Sequence, residues 1–485
     1  MRNLIQRNQT IPKGGAVDRT RLLGGLDVGT TSVKAVLMTD DGVEVAHGRA
    51  PTVWTRSRDG VEADPYAIVD AAMQALADAL SAVPGRTVSA LGVASMAESG
   101  VLVAADDAPL APVIAWHDSR DAGQLADLDQ QLGGARFSLR TGLPLWTQWS
   151  LTKHRWLQDN DPQTGAAVRR YSIAEWVVRQ LGGQPASELS LASRTGWLDL
   201  KTGQPWEETL EWAGAPRSML SDLVAAGTPL GRVRSDHPLT QLREATLTVA
   251  GHDHQAAVIG AGAFGDHDEL DSCGTAEALL RTVVPQLSDD AIATLTTAGV
   301  TIGWHAVKDR WCVLGATQGG LILQKVMSHL GAERDGLPAL DRAALAAPSG
   351  AATVRVGGEG TDPAYSGSAV PGDVWRAATE MVTEQVHALS DAISDATGPR
   401  GELVVTGGWS HSAALMSAKA AALGPLWRTD AGEAGARGAA LLGGLAAGTY
   451  RSYGDMPQPA RTALTEGTRS VMDEGRIDRP AKEEA

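Results

Sequence analysis

Regular alternation of apolar and polar positions begins at Leu22. The apolar run LLGGLDV (22–28), the turn GTTS, the run VKAVLMT (33–39), a second turn DDG and then VEVAHGRA (43–50) predict a meander of short strands. Gly and Asp supply the turn conformations. The segment PYAIVDAAMQALADALSAV (65–83) carries apolar residues at helical spacing, with Asp64-Pro65 as its start signal. VSALGVASM and VLVAADDAPLAPVIAW then resume the strand pattern. Strands alternating with amphipathic helices in this way predict an α/β lobe.

From about 140 to 250 the pattern loosens and becomes rich in tryptophan: Trp146, Trp149, Trp156, Trp176, Trp197, Trp206 and Trp212. By its position such a stretch could cap a cleft. The apolar run ATLTVAG (245–251) leads into a helix-like segment, DHQAAVIGAGAFG, and LDSCGTAEALLRTVV repeats the strand–turn–strand reading. Here a duplication shows itself. DVGTTSVKAVL (27–37) resembles DSCGTAEALL (271–280): each places an Asp shortly before Gly-Thr and continues into an apolar strand. The two Gly-Thr pairs lie about half the chain apart, which suggests a duplicated α/β unit closing over one ligand.

Composition narrows the picture. The 485 residues carry 42 Lys+Arg against 57 Asp+Glu, a formal charge of −15, with 43% hydrophobic and 20% charged residues. These values exclude disorder over most of the chain and disfavour a nucleic-acid partner, which needs clustered positive charge. Only Cys273 and Cys312 occur, so a disulfide scaffold is excluded and a reduced compartment is expected. The first 20 residues hold no apolar run of the ~7–15 residues a signal peptide needs. GAALLGGLAAG (438–448) is short of the ~20 apolar residues of a membrane span. A soluble cytoplasmic protein with no membrane partner is expected, and its polar tail after Tyr450 is expected to fray at the end.

Three clusters carry candidate chemistry. In Asp27-Val28-Gly29-Thr30-Thr31-Ser32, small turn residues let backbone N–H groups face an anion, the hydroxyls of Thr30 and Thr31 add donors, Asp27 can hold a cation, and Lys34 adds a point charge. A plain β-turn with a capping Asp is the alternative. In Gly251-His252-Asp253-His254-Gln255, a carboxylate between an apolar strand and a helix start suits a base facing a cleft; an N-cap is the alternative. His252 and His254 lack a third metal ligand. In Gly407-Gly408-Trp409-Ser410-His411-Ser412, a Gly-Gly turn at a strand's carboxyl end admits a flat ligand such as a purine, or it is an ordinary strand-to-helix turn. Gly260–Gly265 satisfies G-x-G-x-x-G but trails a helix, so it reads as small-residue packing at a helix end.

In order, these segments resemble the FGGY family of carbohydrate kinases of the actin-like ATPase superfamily, from about Leu22 to Thr449. GLDVGTTSVKAVL resembles the first phosphate motif and PVIAWHDSR (112–120) the W-x-D-x-R segment. SLTKHRWLQDN (150–160) is similar to the family signature, and LASRTGWLDL (191–200) to the A-S-x-T segment. GHDHQAA resembles the catalytic segment, DSCGTAEAL the second phosphate motif and VVTGGWSHS the adenosine motif. The resemblance implies an α/β fold of two ribonuclease-H-like lobes around a cleft, with MgATP as donor and a small sugar or polyol as acceptor. Asp253 is implied as general base and Asp27 as holder of Mg²⁺. Thr30, Thr31, Lys34, Gly274 and Thr275 are implied around the phosphates, and Gly320, Gln324, Gly408 and Ser412 at adenosine or the α-phosphate. The implied division is a flexible 1–21, an N-terminal lobe 22–250, a C-terminal lobe 251–450 and a tail 451–485, with room for a homodimer.

Departures from the family pattern bear on the acceptor. Ketose kinases usually carry Gln-Met-His-Gly where this chain reads Met96-Ala97-Glu98-Ser99-Gly100. Glu98 sits where glycerol kinases place a substrate-binding Glu, yet their preceding Arg is Ala97, and their substrate-binding aromatic falls at Gln148 beside Trp149. Glu98, Gln148, Trp149, Asp253 and His254 are therefore expected around the acceptor. A carboxylate and an amide suit vicinal hydroxyls, with a Trp face against the carbon skeleton; a solvated loop acid is the alternative for Glu98. The Gly-Glu-Arg segment of the family is reduced to Gly358-Glu359-Gly360. A ketopentose kinase of xylulokinase type and a non-catalytic sugar- or nucleotide-sensing protein are the competing readings.

Overall fold

The computed structural model describes residues 21–57, 60–356 and 362–465. Residues 1–20, Gly358-Glu359-Gly360 and the chain from 466 onward lie outside the described residues. The predicted meander forms β1 (Arg21–Val28), β2 (Ser32–Met38) and β3 (Glu44–Pro51), antiparallel neighbours in that order. Helix α1 (Pro65–Ser81) starts where Asp64 accepts from the Tyr66 amide, and its alanine-rich face packs on β3 and β2. β4 (Thr87–Ser95) then pairs parallel with β1, and β5 (Thr246–His252) parallel with β4. The sheet order is β5-β4-β1-β2-β3.

The second half repeats this wiring. After α2 (Asp253–Gly260), β6 (Glu269–Cys273) and β7 (Glu277–Val283) make the second Gly-Thr hairpin. β8 (Thr301–Trp304) and β9 (Trp311–Thr317) follow, then α3 (Gly319–His329), the long α4 (Pro371–Thr397) and β10 (Leu403–Thr406). α5 (Ala413–Leu423), β11 (Leu426–Thr429), α6 (Ala434–Ala446) and β12 (Arg461–Leu464) complete it. The order is β8-β9-β7-β6-β10-β11-β12. Its inner five strands, β9-β7-β6-β10-β11, follow the same sequence of antiparallel and parallel pairings as the first sheet. The duplicated Asp–Gly-Thr hairpins are thus the first two strands of two like sheets.

The lobes meet through α2 and α6. α6 packs on β1, β4 and β5 of the first sheet, although it lies within the C-terminal half of the chain. The approach is so close that a Cβ on Gly438 would overlap the Ala256 carbonyl, and one on Gly260 the Ala434 carbonyl. Gly260, first glycine of the G-x-G-x-x-G string, therefore serves helix packing. Within the polar tail, Arg461–Leu464 is an edge strand antiparallel to β11, held because Leu464 is buried against the second core; the end expected to fray lies outside the described residues. Among the described residues no helix is long and apolar enough to cross a membrane.

The tryptophan-rich stretch divides. Trp149, Trp197, Trp206 and Trp212 share one buried cluster with Leu128 and Phe137, whereas Trp176 joins the core of the first lobe. Beside this cluster the second lobe is joined by two bonds: the Ile302 amide donates to the Gly142 carbonyl and the Trp304 amide to Ser193 Oγ. The family-signature segment is internal bracing. Lys153 donates to the Asp118 and Thr147 carbonyls, and the Arg120 guanidinium lies over the Trp156 ring.

Candidate active site

The hairpin register sets Asp27 directly across from Lys34. The Lys34 ammonium lies 3.9 Å from Asp27 Oδ2 and 2.9 Å from Glu433 Oε2, just before α6. Asp27 Oδ1 is buried and has no partner. Burial and then the neighbouring charge of Asp253 push the Asp27 carboxyl up to about 7, against the pull of Lys34. Asp27 near the end of β1 and Asp253 just past the end of β5 thus flank the end of β4, which pairs with both strands.

Asp253 is the first residue of α2, where a carboxylate is favoured by the helix dipole. Its Oδ1 accepts from the His254 amide at 2.7 Å and lies 3.2 Å from His252 Nε2. Burial, then the charge of Arg194, holds His252 well below the usual imidazole range, so the ring is neutral. We assign its proton to Nε2, facing Asp253. The His252 amide donates to Ser190 Oγ, and Ser190 to Glu188, which fixes the strand end from behind. The His254 ring stands edge-on to His252, with centroids 5.5 Å apart. The only group of residues with metal-ligand spacing among those described lies elsewhere, at Asp271, Cys273 and Glu277.

Glu98 is not a solvated loop acid. It is 5% exposed, its backbone sits at φ 65°, and its Oε1 accepts from Arg194 Nε and from Gln148 Nε2 at 3.1 Å. Its carbonyl is tied down by Ser150 and Arg170. The structure so brings Glu98 and Gln148 together, but Trp149 is fully buried. The Arg194 guanidinium covers that ring at 5.2 Å, and Trp146 stacks 6.1 Å away. Trp149 therefore supports Arg194 and presents no open face. Arg194 also donates to Thr301 Oγ1 at 2.9 Å, across to the second lobe.

A cleft of about 760 Å³ joins the two hairpins to the Gly-Gly turn. Lys34, Gly274, Thr275 and Gly408 line it, together with Arg49, Arg334 and Arg428. Gly407 takes φ 89° with its Cα against the Cys273 backbone, a position closed to a side chain. Thr31 and Thr275 are exposed, while the Thr30 hydroxyl accepts from Trp116 Nε1 at 2.8 Å. Of the expected nucleotide residues, Thr30, Thr31, Gly320, Gln324 and Ser412 lie outside this lining. Gly320 packs beneath the Gly274 carbonyl. Gln324 lines a separate cavity of about 530 Å³ with Lys325, His329 and Tyr365. Ser412 is buried as the N-cap of α5 and donates to Asp341 Oδ1 at 2.8 Å.

Sequence reasoning missed Arg194 and the three cleft arginines, and weighed His252 only as a metal ligand. Arg49 had a local signal, because it is the register partner of Lys34 on the next strand. Arg194 had none, being the variable position of the A-S-x-T segment and far along the chain from Glu98.

Residues 22–260 match the N-terminal domain of the FGGY family of carbohydrate kinases. A glycerol kinase of Pseudarthrobacter chlorophenolicus is 29% identical over 468 residues, covering 89% of this chain and 90% of that one. The fold matches a gluconate kinase from Lactobacillus acidophilus with a TM-score of 0.82 at 19% identity, covering 92% and 93% of the two chains. It matches a xylulose kinase from Rhodospirillum rubrum with a TM-score of 0.80 at 22% identity, covering 92% and 94%. With its ordered motifs, duplicated hairpins and interlobe cleft, the chain belongs to the FGGY family of carbohydrate kinases.

Proposed function

We propose that this protein transfers the γ-phosphoryl group of ATP to a hydroxyl of a small sugar or sugar alcohol, with Asp253 as general base. One observation carries the reading: Asp27 near the end of β1 and Asp253 just past the end of β5 flank the end of β4, and Lys34, the partner of Asp27, lines a cleft together with the Gly274–Thr275 turn of the second hairpin. Asp253 Oδ1 is held by His252 and the His254 amide, which leaves Oδ2 to accept the proton of the attacking hydroxyl. Lys34 and the cleft arginines offer the positive surface that a triphosphate needs. Glu98 and Gln148 offer an acceptor and a donor for the acceptor's other hydroxyls.

Asp27 fits a divalent cation: its orphaned, buried Oδ1 and the like charge of Asp253 both call for positive charge. Mg²⁺ held there, as in MgATP, would supply charge neutralisation at the phosphates. The reaction also implies a cytoplasmic setting where ATP is supplied, and the two buried free thiols, Cys273 and Cys312, support it.

The test is ADP release across a panel of polyols, ketoses and aldonates. Turnover with at least one neutral polyol or sugar supports the proposal. Tight sugar binding without ADP release from any acceptor overturns it in favour of a sensor.

A further inference from the structure

The second hairpin stands on a buried charge cluster that the phosphoryl-transfer chemistry does not use. The ligand atoms of Asp271, Cys273 and Glu277 lie within 4.8 Å of one another, a spacing a divalent metal ion accepts. An amine sits among them instead. Nζ of Lys419, from α5, hydrogen-bonds Asp271 Oδ2 and Glu277 Oε1 and lies 3.4 Å from Cys273 Sγ. All four residues are buried. Burial drives the Cys273 thiol well above its ordinary value, so it stays protonated. Burial and the charge of Asp271 push Glu277 up to about 7, with Lys419 opposing them.

The first lobe shows what this arrangement replaces. There the hairpin Asp27 meets Lys34 at the cleft edge, 3.9 Å away, and one carboxylate oxygen stays free. In the second lobe the hairpin carboxylates are capped by an ammonium anchored on a helix. Cys273 and Glu277 form the last register pair before the Gly274–Thr275 turn. Glu277 Oε2 also accepts from Thr317 Oγ1 at 3.2 Å, at the end of β9 and the start of α3. α5 itself begins directly after the Gly407–Ser412 turn. The ammonium therefore joins the helix behind the Gly-Gly turn to the base of the phosphate hairpin.

We propose that Lys419 is a positioning residue for the phosphoryl donor: a tethered cation, standing where a structural metal ion could, that sets the Gly274–Thr275 hairpin against the Gly407–Gly408 turn. The inference rests on the kinase reading for its functional consequence, but the cation claim stands on the cluster alone. Without the ammonium, Asp271 and Glu277 face each other across the hairpin base with only like charge between them. The hairpin then moves relative to the Gly-Gly turn, and small displacements of bound phosphates are costly in rate.

Lys419→Ala and Glu277→Gln test it, by steady-state kinetics and cadmium titration on the full chain. In Lys419→Ala, KM for ATP is expected to rise roughly tenfold or more with a fall in kcat, while KM for the acceptor changes less than about twofold. The vacated cluster is expected to bind one equivalent of Cd²⁺, with a thiolate-to-cadmium charge-transfer band absent from the wild type. Glu277→Gln keeps the Lys419–Asp271 pair and covers the case of a Lys419→Ala chain that does not fold; it is expected to melt no lower than wild type yet to raise KM for ATP. An unchanged KM for ATP in both variants, or equal losses for ATP and acceptor, overturns the positioning role. Failure to bind Cd²⁺ overturns the tethered-cation claim. A wild type inert with the whole acceptor panel counts against the kinase reading, and the cadmium titration still decides the cluster.

Discussion

Arg194→Met is the most informative single perturbation of the acceptor region. The Arg194–Glu98 pair is buried, with side-chain exposures of 8% and 4%. Removing one partner leaves an uncompensated buried charge, at a cost of about 3–5 kcal/mol. The guanidinium over Trp149 and the bond to Thr301 add to the loss. Glu98 cannot easily turn away, because its carbonyl is fixed by Ser150 and Arg170. Methionine roughly keeps the aliphatic volume, so the loss is mainly electrostatic. The assay is urea unfolding of Arg194→Met, Glu98→Gln and the double variant, with KM for acceptor and ATP on each. The single Arg194→Met variant is expected to lose the full amount. The double variant, with neither charge left, is expected to regain about 2 kcal/mol or more. Both are expected to raise KM for the acceptor by roughly tenfold or more, and KM for ATP little. A loss below about 1 kcal/mol in Arg194→Met, or a double variant no more stable than the single, refutes the coupling.

Three further outcomes follow from other parts of the molecule. Gly438→Ala forces a methyl into the Ala256 carbonyl at the α2–α6 crossing and is expected to cost about 1–3 kcal/mol or more in a thermal melt. Gly123→Ala, on an exposed helix with open space around it, is expected instead to stabilise by about 0.4–1 kcal/mol. Burial raises Glu188 from 4.5 to about 7, so the folded chain binds more protons than the unfolded one between those values. Stability is then full below about pH 4.5 and declines, by about 3 kcal/mol at most, as pH rises through 7. Glu188→Gln is expected to flatten this dependence, and an unchanged slope in urea melts between pH 5 and 8 contradicts it.

The parts of the site that were legible in sequence are those written in local chemistry. An Asp, a Gly-Thr turn and an apolar strand are contiguous, so both hairpins and the position of Asp253 at a strand–helix junction could be read directly. Contacts made by distant segments left no such trace. Arg194 reaches Glu98 and Lys419 reaches Asp271 only through the folded lobes, and neither residue stands out among its neighbours. Trp149 misled for a related reason: its neighbours Gln148 and Ser150 are polar, while its burial comes from Arg194 and Trp146. Ser412 reads equally well as a ligand or a helix cap from its turn sequence, and Asp341, far along the chain, decides where its hydroxyl goes. The edge strand Arg461–Leu464 is short and polar, and only its pairing with β11 defines it.

The central claim is that Asp253 takes the proton of the attacking hydroxyl in a cleft whose nucleotide contacts lie on other elements. Asp253→Asn, assayed for ADP formation with the best acceptor of the panel and for MgATP affinity by calorimetry, tests it most directly. The account predicts a fall in kcat of roughly 10²–10⁴-fold, with MgATP affinity within about threefold of wild type. Wild-type-like turnover in Asp253→Asn would contradict the assignment of the base.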